Sequence, residues 1–204
     1  MTKTVQPAVQ EVMVKERLLT AALELFTTKG YAAASVREIV EMAGVTKPVL
    51  YYYFGSKEGI YLELMGSAFA EFGAILDDCR DRQGSVTARL LELCDRIFLL
   101  FVQELNVARL MYAIYYGPSQ GAPFFDFEAY HLKLRDLVRD TVEEGIRTGE
   151  LREGDAADMG WLLIGALNVV LEEQLCQREP RIGREGLARV VTLAFRGIGQ
   201  GEQR

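Results

Sequence analysis

Two short amphipathic stretches joined by a glycine turn constrain this chain more than any other feature. They run from Ser35 to Lys57, SVREIVEMAGVTKPVLYYYFGSK. Ser35 is placed to cap a helix, and Glu38 three residues later completes a capping box. Val36, Ile39, Val40 and Ala43 recur at the spacing of one helical face. Gly44 follows at once and can take the left-handed conformation that ends a helix. Thr46 is placed to cap a second helix, whose first turn tolerates Pro48 because that N–H would be unpaired anyway. Leu50 and Phe54, four apart, pack inward, and Tyr53 falls beside them. Lys47, Pro48, Tyr51 and Tyr52 are left outward. Gly55 and Ser56 end this helix and open the next.

These residue types suit a DNA backbone. A helix N-terminus attracts phosphate through its dipole and bare N–H groups, and Thr46 and Lys47 sit there. Tyrosine hydroxyls donate to phosphate oxygens, and tyrosine and proline carbons can touch a thymine methyl. Lys57 is within reach of a flanking phosphate, and Arg37 of a phosphate or a base edge. The net charge of −6 argues against a nucleic-acid partner until its distribution is considered. Residues 1–60 hold seven Lys/Arg against six Asp/Glu, whereas the rest hold 16 against 23. The near-neutral N-terminal part is therefore the expected docking face, with binding that weakens as salt rises.

From Arg17 to Leu64 the chain resembles the DNA-binding domain of the TetR family of bacterial transcriptional regulators. The resemblance is carried by Ala21-Ala22-x-Glu24-Leu25-Phe26, Lys29-Gly30-Tyr31, Ser35-Val36-Arg37-Glu38-Ile39, Ala43-Gly44-Val45-Thr46-Lys47, Leu50-Tyr51-Tyr52-Tyr53-Phe54 and Ser56-Lys57-Glu58. It implies a three-helix DNA-binding domain on an all-helical ligand-binding and dimerising domain. Position by position, it implies DNA contact from Ser35, Arg37, Thr46, Lys47, Pro48, Tyr51, Tyr52 and Lys57. Family members commonly carry His where this chain has Tyr52, a departure that bears on sequence preference rather than on role.

Elsewhere the apolar spacing is helical and no alternating strand pattern occurs, so the fold class is all-α. Residues 1 to about 10 read as a loose tail. Leu18, Ala22, Leu25 and Phe26 form the stripe of a first helix ending at Lys29-Gly30. Helices are expected over about 57–80, 85–105, 106–116, 124–148, 156–177 and 183–198. The expected domains are 11–60 for DNA binding and 61–204 for ligand binding and dimerisation, with a soft boundary inside the helix that follows Lys57.

The run Met159–Leu171 is apolar on nearly every side, so it is buried on more than one face. Leu187, Val190, Val191, Ala194 and Ile198 give the last helix one apolar stripe. Either these helices pack within their own domain, or they pair across a two-fold axis into a four-helix bundle. The second reading is preferred, because a homodimer lets two recognition helices address the half-sites of a palindrome.

Met111, Tyr112, Tyr115 and Tyr116 lie close in sequence to Phe124, Phe125, Phe127 and Tyr130, and Met65, Phe69, Phe98 and Trp161 can face the same space. Apolar pockets are lined this way, although core packing uses the same residues. His131, the only histidine, lies on an apolar stripe, as a core histidine or a ligand contact. Asn168 is the other polar group in apolar surroundings and could anchor a ligand. The expected effector is a small apolar or aromatic molecule.

Cys79, Cys94 and Cys176 show no metal-ligand spacing and read as reduced thiols. No cofactor or metal is expected. With one histidine, no nucleophile motif and no phosphate-cradling loop, the chain does not read as an enzyme; Gly197-x-Gly199-x-Gly201 lacks the helix that such a loop must precede. The polar N-terminus shows no signal peptide, and Met159–Leu171 falls short of the ~20 residues that span a bilayer, so a cytoplasmic protein with no membrane partner is expected. The alternative, a dimeric helical interaction module without sequence-specific DNA binding, leaves the surface from Thr46 to Lys57 unexplained.

Overall fold

A computed structural model describes residues 7–198, with side chains from residue 11 to 197. Gly199, Gly201, the Ile198 side chain and the first six residues of the expected tail lie outside that range. The described residues form nine helices and no strand. They are α1 Pro7–Lys29, α2 Val36–Ala43, α3 Lys47–Phe54, α4 Lys57–Arg80, α5 Val86–Gln103, α6 Leu105–Tyr115, α7 Phe127–Thr148, α8 Ala156–Cys176 and α9 Arg184–Ile198. α1 begins at Pro7, before the end of the expected tail. α7 begins at Phe127 because the Asp126 carboxylate caps it, accepting from the Ala129 N–H at 3.0 Å.

Two compact units divide the chain. One comprises the residues up to Ala68 together with Asn106–Phe125; the other comprises Phe69–Leu105 and the residues from Asp126 onward. The split therefore differs from a single cut near residue 60. α4 passes from one unit into the other, and a later segment returns to the first.

The first unit is built on a small apolar core. Leu18, Ala22, Leu25 and Phe26 of α1 are buried with Ile39, Val40 and Ala43 of α2, Leu50 of α3, and Ile60 and Tyr61 of α4. Each such large side chain contributes about 1.5–3 kcal/mol on leaving water. α1 packs on α2, and α2 on α3.

The second unit is a helical bundle in which α7 packs on α8, α8 on α9, and α5 on all three. Its core includes Leu90, Leu93, Ile97 and Phe98 of α5, Leu134, Val138 and Val142 of α7, and Leu163, Leu167 and Val170 of α8. The N-terminus of α5 is closed from a distance. Glu150, in the turn after α7, accepts from the Ser85 hydroxyl at 2.6 Å and from the Val86 and Thr87 N–H groups at 2.8 Å each. Burial raises the Glu150 carboxyl, but these hydrogen bonds outweigh it and hold it at about 2.

The expected stripe of α9 needs correction. Leu187, Val191 and Phe195 are buried in the unit's own core, and Ala194 packs against it. The exposed apolar groups are instead Trp161 (55 %), Leu162 and Val169 (66 %) on α8 and Leu193 (62 %) on α9. A helix apolar all round does not announce which face meets its own core. By length and composition α4 and α8 are each apolar enough to cross a membrane, the helix of α8 running to 21 residues, beyond the stretch Met159–Leu171. α8 nonetheless buries Met159, Leu163, Ile164, Leu167, Val170 and Leu171 within the bundle.

Candidate nucleic-acid interface

α2 and α3 are positioned by local capping. The Ser35 hydroxyl accepts from the Glu38 N–H, and Glu38 accepts in return from the Ser35 N–H at 3.0 Å and the Ser35 hydroxyl at 2.8 Å. The Lys29 ammonium beside Glu38, with these hydrogen bonds, holds its carboxyl at about 2. At Gly44 the backbone takes φ 65°, and its N–H donates to the freed carbonyls of Val40 and Glu41. The chain re-enters a helix at Lys47 without a side-chain cap from Thr46. The Thr46 hydroxyl is therefore not spent on the cap; Pro48 has no N–H, and the Val49 N–H donates to the Thr46 carbonyl at 3.1 Å.

The exposed face of α3 holds the expected residues. Thr46, Lys47 and Pro48 are exposed at its N-terminal end, Tyr51 is 50 % exposed and Tyr52 78 %. Tyr52 stands edge-on to Tyr53 at 5.0 Å between ring centroids. Tyr53 itself is half-buried. Arg37 is exposed at the start of α2.

Two of the expected contacts are otherwise engaged. The Ser35 hydroxyl proton is committed to Glu38. Lys57 is half-buried at the start of α4, donating to the carbonyls of Tyr31 at 2.9 Å and Ala34 at 3.0 Å, with its ammonium 4.3 Å from the Tyr31 ring centroid. The Tyr31 ring packs edge-on to Tyr61. Burial pushes both phenols up to about 12. A lysine held this way fixes α4 to the turn before α2. We expect Lys57→Met to weaken DNA binding without changing its salt dependence. A slope of log K against log salt lowered by ~0.9 for each lysine removed would instead place Lys57 on a phosphate.

The expected effector residues divide between the units. Met65, Met111, Tyr112 and Tyr115 belong to the first unit, where Met65 is fully buried and Tyr116 contacts the rings of Tyr112 and Tyr115. In the second, Phe69 meets Phe127 at 5.3 Å and Tyr130 at 4.9 Å, and Phe98 lies in the core. His131 is half-buried, and burial lowers its pKa, opposed by Glu128. Trp161 and Asn168 stand on the exposed face of α8, with the Arg135 guanidinium 4.8 Å from the Trp161 ring. The correction has the same cause as for α9: polarity along α8 does not mark the side it buries.

α2 and α3 form a helix-turn-helix whose second helix bares a lysine and two tyrosines, with an exposed threonine just ahead of it. Residues 18–64 match the model of the bacterial regulatory proteins of the tetR family. The chain is 26% identical over 168 residues to the HTH-type transcriptional regulator YdgC of Bacillus subtilis, covering 79% of this chain and 80% of that one. It is 22% identical over 149 residues to the fatty acid metabolism regulator protein of the same organism, covering 68% and 71%. Its fold matches that of the TetR family regulator PfmR from Thermus thermophilus with a TM-score of 0.71, at 24% identity over 92% of this chain and 100% of that chain. The family match thus rests on the N-terminal domain, residues 18–64, while the likeness over the remainder of the chain is one of fold.

Proposed function

We propose that this chain is a ligand-responsive repressor that binds a palindromic operator as a homodimer in the cytoplasm and leaves it when a small apolar or aromatic effector binds. The observation that carries the DNA half is the open N-terminal face of α3, where the Thr46 hydroxyl is not spent on capping. Thr46 and Lys47 meet phosphate, Pro48, Tyr51 and Tyr52 meet phosphate and base edges, and Arg37 reaches the adjoining backbone. Ser35 and Lys57 hold the frame. Pairing through the last two helices is supported by the exposed Trp161, Leu162, Val169 and Leu193, which make an apolar face on α8 and α9. Two recognition helices on a two-fold axis then address half-sites one helical turn or a multiple of it apart.

The effector reading is supported by the aromatic residues of 65–131, and a relative named for fatty acid metabolism fits an apolar ligand. The effector would tilt α4 and change the spacing of the two recognition helices, which requires that it prefer one state over the other. Fluorescence anisotropy against the DNA upstream of the chain's own gene tests this, with an unrelated duplex as control. Tight, salt-sensitive, selective binding that a saturating apolar effector relieves is expected. Operator affinity unchanged at saturating effector refutes the regulatory half, and equal weak binding to both duplexes counts against the DNA half.

A further inference from the structure

The backbone of Tyr31 is gripped on both sides by side chains distant in sequence. Its carbonyl accepts from the Lys57 ammonium at 2.9 Å. Its N–H donates to the Gln120 side-chain oxygen at 2.8 Å, across 89 residues of chain. Gln120 also turns its amide nitrogen toward the Ala113 carbonyl at 3.5 Å, so it bridges the end of α6 to the α1–α2 turn. The residue before Tyr31 is shaped to admit it. Gly30 takes φ +83°, and a Cβ there would stand 2.8 Å from the Gln120 oxygen. Within the turn, the Ala34 N–H closes onto the Gly30 carbonyl at 3.3 Å.

We propose that Gln120 is a positioning residue for DNA binding: with Lys57 opposite, it clamps the Gly30–Ala34 turn and so sets α2 and α3 in the orientation that seats on DNA. The inference rests on the DNA-binding reading of α3. The turn leads straight into Ser35, the cap of α2, and only Gly44, Val45 and Thr46 separate α2 from α3, so a shift of the turn is carried to the recognition helix. Withdrawing Gln120 leaves a part-buried N–H without its acceptor, and the turn then samples other conformations. Only the fraction that keeps the seated arrangement binds at full strength. Gln120 lies in Asn106–Phe125, whose two ends are covalently continuous with the second unit. A rearrangement there that draws this segment away removes the clamp.

The test uses a duplex that the wild-type chain selects from a random pool, with Gln120→Ala and Gln120→Glu compared by anisotropy and by amide hydrogen exchange. Q120A is expected to bind ~10-fold weaker, about 1.4 kcal/mol. Its salt slope should be unchanged, because glutamine carries no charge to a phosphate. Its Tyr31 amide should exchange faster while the amides of α3 that lie beyond the first turn stay protected. Q120E keeps the acceptor oxygen and should keep the Tyr31 amide protected. Wild-type affinity in Q120A overturns the proposal, as does a Tyr31 amide that exchanges no faster in Q120A. A wild-type chain that enriches no sequence overturns the DNA-binding reading itself, and the proposal with it.

Discussion

Replacing Lys47 and Tyr51 together by alanine is expected to weaken operator binding on the order of 1000-fold while leaving the fold and the assembly state unchanged. The size follows from two lost contacts in each half-site. Base-edge and phosphate contacts are each worth about 1–3 kcal/mol at most, and ~1 kcal/mol apiece over four contacts gives ~4 kcal/mol. One lysine from each protomer also leaves the phosphate backbone, so the slope of log K against log salt should fall by ~2. Stability should move little, because both side chains are exposed and alanine favours the helix. Anisotropy at several salt concentrations, beside a melting curve and size-exclusion chromatography, checks all three. Loss of the cooperative melt would mean that α3 is held by these side chains rather than displaying them.

Glu150→Ala should lower stability by about 2 kcal/mol or more, the largest effect expected from a single side chain outside the apolar core. One carboxylate serves three donors at the start of α5, and hydrogen bonds to a charged group contribute about 1.5–3 kcal/mol net where burial is complete, less at a partly exposed helix end that water can reach. For a chain of this size that is a melting point lower by roughly 4–8 °C. The same carboxylate gives stability a dependence on pH. Its pKa is about 2 when folded, against an ordinary 4.5, so its contribution is complete above the ordinary value and is lost as pH falls from there toward 2. Denaturant unfolding of wild type and variant should therefore converge through that window. A constant gap down to pH 2 would show that the carboxylate is not the source.

Much of this was legible from local chemistry. Ser35 with Glu38, and Gly44, each act on residues within four positions, so the helix ends they make can be read directly, whereas the equally local Asp126 cap is passed over and α7 placed three residues too early. The outward set of α3 follows from Leu50 and Phe54 in the same way. What else escaped depends on partners far along the chain. Lys57 looked like a phosphate ligand because nothing nearby competes for it, yet the carbonyls of Tyr31 and Ala34 lie 26 and 23 residues away. Gln120 sits in a glycine-flanked loop with no periodic signal. Glu150 lies between two helices, and its partners Ser85, Val86 and Thr87 are 63–65 residues away. On α8 and α9 the apolar residues were recognised but their sides were not, since hydrophobicity without a polar face carries no direction.

The first unit is written in the chain in two pieces, one up to Ala68 and the other Asn106–Phe125. This bears on how such a protein can be recombined. Exchanging the DNA-reading head for another by one splice near residue 60 would bring in a foreign turn to face Gln120, with no guarantee of an amide in the right place to meet it. A faithful transplant needs two splices, so that the head travels with its distant clasp. Gene fusion by a single crossover should favour heads whose turn before the second helix presents the same backbone.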